Sequence, residues 1–161
     1  MTPAEFKTIR ESLGLPLQWV ADQAQVELHT AQRWETERNA IPQDVATMLL
    51  GLDEQFWQLV ADYLNQVKEI AEDEDEDALP DEIVLIRYKT DADLWKFHPD
   101  FKPIPANAHA VLLARTRRAL WEIGMPSIIE YMEPEEYHAW LDGLEDDETM
   151  RCEWALSKQE D

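Results

Sequence analysis

The sequence predicts a mainly α-helical protein, with a bundle of short helices at the N-terminus followed by a small α+β domain. Three observations predict it. Apolar residues over the first 70 positions recur at steps of three and four, the spacing of one helical face. Prolines stand where helices would begin (Pro3, Pro16, Pro42), and Gly14 stands where the first would end. The two segments with the β-branched, apolar composition of strands, Ile83–Tyr88 and Pro126–Met132, lie beyond residue 80 with helical patterns between them.

Composition bounds the answer. The chain has 161 residues, is 45% hydrophobic and carries 7 tryptophans, enough to bury one compact core or two small ones. We expect residues 1–71 to form the helical domain, 72–80 a linker and 81–161 the α+β domain. No run of about 18 apolar residues occurs, and the start, Met-Thr-Pro-Ala-Glu-Phe-Lys, lacks the basic and apolar parts of a signal peptide. A single cysteine, Cys152, excludes an internal disulfide and a thiolate metal cluster. Together these lead us to expect a cytoplasmic protein with no membrane association. The four glycines are scattered, so the Gly-rich loops that cradle phosphates or dinucleotides are excluded.

In chain order, Thr2 is a candidate N-cap for a first helix over 3–13, with Phe6, Ile9 and Leu13 on one face. Pro16 opens a second helix ending near Ala24, with Val20, Ala21 and Ala24 together. Gln25-Val26-Glu27 is a turn. A third helix follows, in which Ala31 and Trp34 share the inward face. Three short helices with a three-residue turn between the second and third form a helix-turn-helix layout. From Pro42, the series Val45, Leu49, Leu52, Phe56, Leu59, Tyr63, Val67 and Ile70 predicts one long helix, or two meeting near Gly51. Met48, Phe56 and Trp57 are assigned to the core. The run Glu72–Asp77 is six consecutive acids and reads as a solvated linker, with a basic-partner docking site or DNA mimic as its alternative.

Beyond the strand at Ile83–Tyr88, Thr90 or Asp91 caps a short helix carrying Leu94, Trp95 and Phe97. A Pro-rich piece follows, and then a helix over 106–123 with Val111, Leu112, Ala119, Leu120 and Ile123 inward. After the second strand comes a helix from Glu133-Pro134 to Gly143, and then an acidic tail partly ordered around Trp154. Two strands are too few to stand alone in water. They require helical cover, or strands from a second subunit, so a homodimer is expected.

The formal charge is -21, which opposes nucleic-acid binding, since duplex affinity rests largely on Lys and Arg meeting phosphates. The excess lies mostly outside residues 1–50, where four bases face seven acids, 4 - 7 = -3.

Arg10, Leu13-Gly14-Leu15, Val20-Ala21, Val26, Arg33-Trp34-Glu35 and Pro42 fall in one ungapped register. With these residues, 9–49 resembles the phage-repressor-like (Xre, Cro/C1-type) helix-turn-helix family of transcriptional regulators. The resemblance implies that the third helix enters a DNA major groove, that Arg10 and Glu35 form a structural ion pair, and that the protein represses transcription. Leu28, His29, Thr30, Gln32, Arg33, Thr36, Arg38 and Asn39 are then the candidate DNA-binding residues. Arg33 suits guanine and Gln32 suits adenine by paired hydrogen bonds. The chain departs from the family where a Thr-Gln pair starts the second helix; it has Pro16-Leu17, so that phosphate contact is missing. Glu27 replaces the usual Ser or Thr cap and would repel a nearby phosphate. The layout and the segment Ile86-Arg-Tyr-Lys-Thr-Asp-Ala-Asp-Leu-Trp95 also resemble the YdiL-like and anti-CRISPR-associated regulators.

Other chemistries are poorly supported. His29, His98, His109 and His138 have no ligand spacing, so no metal or cofactor is expected. Cys152 lacks a local base. With 35 acids, a close carboxylate pair has no diagnostic value for catalysis. Arg115-Thr-Arg-Arg118 reads as salt-bridging, with a second nucleic-acid site as the alternative. No enzyme is expected. The expected partners are double-stranded DNA and a second copy of the chain. RNA or a basic protein stand behind them, the latter if the chain is an interaction module or antitoxin that kept the fold.

Overall fold

The computed structural model describes residues 1–36, 38–72 and 82–159, the side chains of 71 and 72 excepted. The protein is mainly helical, with a small two-stranded parallel sheet. It divides into two compact units, Met1–Ala61 and Asp62–Asp161.

The first unit holds α1 (Pro3–Ser12), α2 (Leu17–Gln23), α3 (Leu28–Glu35) and α4 (Gln43–Glu72) as far as Ala61. Thr2 starts α1 with a reciprocal cap: its hydroxyl accepts from the Glu5 amide at 3.2 Å, and its own amide donates to the Glu5 carboxylate at 2.6 Å. α1 and α2 stop in the same way. In α1 the Gly14 and Leu15 amides return to the Glu11 and Arg10 carbonyls; in α2 the Gln25 and Val26 amides return to Asp22 and Ala21. This double bond requires a left-handed residue after the cap. Gly14 supplies it with φ 67°, and Gln25 takes φ 54° without glycine's freedom. Phe6, Leu13, Val20, Ala31, Trp34 and Leu49 fill the core, with the Phe6 and Trp34 rings edge-on at 6.0 Å between centroids.

α4 runs unbroken through Gly51, which resolves the two alternatives for this segment as one helix. Its apolar seam differs from the expected one. Val45, Leu49, Phe56, Val60 and Val67 are buried, whereas Leu59 and Ile70 are exposed, and Trp57, assigned to the core, is 56% exposed. The cause is geometric. The buried residues recur every 11 positions, Val45, Phe56 and Val67 with Leu49 and Val60, which matches the α-helical turn, whereas a strict 4-3 repeat drifts about 20° per seven residues and carries Leu59 and Ile70 to the edge of that stripe. Trp57 lies one step, about 100°, round from buried Phe56. Most of the acidic run expected as a linker, residues 73–80, lies outside the described residues.

The second unit holds the rest of α4, β1 (Ile83–Arg87), α5 (Asp91–Phe97), a 3-10 turn (Pro99–Phe101), α6 (Ala106–Glu122), β2 (Ser127–Tyr131), α7 (Pro134–Leu141) and α8 (Glu148–Ser157). β1 and β2 pair in parallel from Ile83↔Ser127 to Arg87↔Tyr131. Parallel neighbours need a long crossover, and α5 through α6 supply it. Thr90 caps α5 by accepting from the Asp93 amide at 3.1 Å, and the Asp91 carboxylate accepts from the Ala106 amide at 2.7 Å, tying the starts of α5 and α6 together. β1 is apolar on both faces because both are covered. Val84 and Ile86 pack with Leu94, Phe97, Tyr137, Leu141 and Trp154; Ile83 and Leu85 pack with Leu113, Leu120 and Val67.

Two expectations need correcting here. Ile123 is 39% exposed, because α6 ends at Glu122 and Gly124 turns the chain with φ 78°. The tail is a regular helix, α8, started by the Asp147 side chain accepting from the Met150 amide at 2.8 Å and held by buried Trp154 and Ala155. The helical cover that two strands require therefore comes from this chain's own α6 and α8. No helix among the described residues is long and apolar enough to cross a membrane.

Candidate functional site

α3 is an eight-residue helix with one buried stripe and one exposed face. Ala31 and Trp34 point into the core. His29, Gln32 and Arg33 are exposed on the helix, and Thr36 and Arg38 continue the same face past its end. These five side chains line one concave patch of about 380 Å³. Leu28, Thr30 and Asn39 are half-buried and do not line it. Thr36 spends its hydroxyl proton locally, on the Gln32 carbonyl at 3.2 Å, and the Arg38 amide donates to the Arg33 carbonyl at 3.2 Å. The chain thus curls over the end of α3 and brings Arg38 beside Arg33. Both guanidinium groups are exposed on this patch, and among the described residues neither forms an ion pair. The start of α3 differs: Glu27 occupies the N-cap without a side-chain hydrogen bond.

Beneath the patch, Arg10 of α1 reaches α3. Its Nε and Nη2 both donate to Glu35 Oε1, at 2.9 and 2.7 Å, and its Nη1 donates to the Leu15 carbonyl at 2.7 Å. One side chain therefore ties the end of α1, the α1–α2 turn and the last turn of α3.

The second unit contains a polar and aromatic cluster that sequence reasoning missed. Arg151 of α8, almost buried, donates from Nε and Nη2 to both oxygens of Asp146, at 2.8 and 2.7 Å. Tyr137 Oη donates to Asp146 Oδ1 at 2.6 Å. The hydrogen bonds from Arg151 hold the Asp146 carboxyl below the usual carboxylate range. His98, His109, Tyr88 and Phe101 form an aromatic group, with the two imidazoles 6.1 Å apart. Burial, then the nearby His98, pushes His109 down to about 4. Burial also lowers His98, against the pull of Glu148, whose carboxylate is 3.6 Å away. The Cys152 thiol is pushed up to about 11 by burial, which keeps it un-ionised at neutral pH. Among the described residues no three potential metal ligands converge. The one local signal of this cluster was Asp147, an N-cap residue just before an apolar period.

No family model matches the chain, and no curated protein matches it.

Proposed function

We propose that the protein is a sequence-specific DNA-binding transcriptional regulator, a dimeric cytoplasmic repressor acting on an inverted-repeat operator, with no enzymatic role. In this reading α1–α3 form a helix-turn-helix of the phage-repressor type, and α3 is the recognition helix. Two copies would enter successive major grooves about 34 Å apart. The observation that carries the reading is the convergence of His29, Gln32, Arg33, Thr36 and Arg38 on one exposed patch. Arg33 and Gln32 present paired donors and acceptors to base edges, and Arg38 meets phosphate. The Arg10–Glu35 pair sets the angle at which α3 is offered.

The experiment is selection from a random duplex DNA pool at about 0.1 M salt, where non-specific contacts are already weakened. The reading expects an inverted repeat whose half-site spacing gives the dimer geometry. Recovery of no sequence by folded protein overturns it.

A second reading is favoured by one observation, the carboxylate of Glu27 at the start of α3 in a chain of charge -21. In it the fold is kept for binding a basic protein, as an interaction module or antitoxin. The two readings separate on the salt dependence of DNA affinity, which a regulator must show and an interaction module would not.

A further inference from the structure

The face of α6 beside β2 holds a second concave site. Ala114, Arg117, Arg118 and Trp121 follow one another at i, i+3, i+4 and i+7, a single stripe along the helix. Ser127 and Ile129, alternate residues of β2, border the same space, and with Met125 they close a pocket of about 310 Å³. The volume is at the lower end of the range for small-molecule sites.

Its chemistry is asymmetric. Arg118 Nε donates to Glu122 at 2.9 Å, and its guanidinium lies 4.6 Å from the centroid of the Trp121 ring. That contact holds the indole as a platform, yet the residue stays 67% exposed, more than any other large apolar residue described. Arg117 forms no ion pair among the described residues, in a chain where 35 acids outnumber 14 bases. β2 adds donors. The Ile83 amide bonds to the Pro126 carbonyl and the Met132 amide to the Arg87 carbonyl, so even-numbered residues of β2 face β1. The odd-numbered Ser127 and Ile129 turn their amides to the outer edge, beside the pocket. The site therefore offers a flat aromatic surface, an uncommitted guanidinium, a hydroxyl and edge amides. None of the lining residues is a carboxylate, and Glu122, one turn along the helix from Arg118, is engaged by that residue.

We propose that this pocket binds a small planar aromatic anion, a ring carrying a phosphate or a carboxylate, with the ring on Trp121 and the acid group on Arg117 and Ser127. Ala114 leaves the room for it. The site goes beyond the DNA-binding reading and stands or falls without it.

The test follows the Trp121 indole N–H by NMR in the full chain, assigned through Trp121→Phe. Adenosine monophosphate, 4-hydroxybenzoate, adenosine and inorganic phosphate are titrated separately. The proposal expects saturable shifts with at least one of the first two, at least tenfold tighter than with adenosine or phosphate. A response to the nucleotide alone assigns the phosphate class, and a response to the benzoate alone assigns the carboxylate class. Arg117→Gln weakens binding at least tenfold and Ala114→Leu blocks it; both sites are exposed, so the fold is retained. No shift with either anion overturns the proposal, as does equal binding of neutral adenosine or binding that survives both substitutions.

Discussion

Arg10 and Glu35 are 25 positions apart in sequence, and in the fold two nitrogens of the Arg10 guanidinium converge on one Glu35 oxygen at 2.7 and 2.9 Å. The side chains are only 11% and 15% exposed, and Arg10 also holds the Leu15 carbonyl. Glu35→Gln should cost about 1–2 kcal/mol, since one charged acceptor is replaced by a neutral one. Arg10→Ala should cost more, about 2–4 kcal/mol, because it strands both the carboxylate and the carbonyl. Chemical denaturation of both variants and of the double mutant checks this. Additive losses would show that the pair is uncoupled.

Gln25 occupies the position after the α2 cap that Gly14 and Gly124 occupy after α1 and α6, with φ 54° against 67° and 78°. The left-handed backbone strains a residue with a Cβ. Gln25→Gly should therefore stabilise the protein by about 0.5–1 kcal/mol, the relief outweighing the entropy that glycine adds to the unfolded chain. A lower midpoint in thermal unfolding would count against this account of the turn.

Arg33 and Arg38 serve different purposes in the proposed complex. Arg33→Ala should cost about 1–3 kcal/mol of operator affinity and relax one base position, while Arg38→Ala should weaken all sequences alike and reduce the salt slope by about 1. Both are exposed, so stability should change by less than about 0.5 kcal/mol. Gel-shift or anisotropy titrations at several salt concentrations separate the two. Unchanged affinity in Arg33→Ala would remove α3 from the interface.

His109 is lowered to about 4 in the folded state by burial, against about 6.5 when unfolded. Protonation thus favours unfolding. The neutral imidazole's contribution is fully present above pH 6.5 and is lost as pH falls toward 4, by about 3 kcal/mol at most. His109→Phe, which keeps a ring beside Tyr88 and Phe101, should flatten stability between pH 7 and 4.5. Parallel pH slopes in urea unfolding of the two proteins would refute the assignment.

Asp146 should act at lower pH. Its carboxyl is depressed chiefly by the hydrogen bonds from Arg151. Its contribution is present above the ordinary carboxylate value of about 3.9 and is lost as pH falls below that, through the folded value. Asp146→Ala leaves the nearly buried Arg151 guanidinium without its bidentate partner and should cost about 2–3 kcal/mol at pH 7. Tyr137→Phe, which removes one hydrogen bond to the same carboxylate, should cost about 1 kcal/mol. Unfolding curves for the two variants at pH 7 and pH 3 give the comparison.

Much of this was legible locally. Thr2, Thr90 and the prolines mark helix starts because caps satisfy amides within three residues. The apolar run of β1 reads as a strand covered on both faces. On α3, alternation of buried Ala31 and Trp34 with exposed His29, Gln32 and Arg33 follows from the helical period alone. The seam of α4 was less legible past Phe56, because a small angular drift accumulates unseen until a side chain such as Trp57 or Leu59 is placed against real neighbours. Half-buried Leu28 and Thr30, counted among candidate contacts from their position, show the same effect at the start of α3.

Local signals located the starts of α1, α5 and α6, both strands and the cationic face of α3, since these depend on hydrogen bonds and spacings within a few residues, but not the regular helix α8. Packing of distant segments decided the parallel register of β1 and β2, the hold of Arg10 on the Leu15 carbonyl and the convergence of Arg151, Asp146 and Tyr137. It also decided the burial of His109 and the pocket between α6 and β2. These depend on surfaces that meet only when distant segments pack together, and on the desolvation that follows.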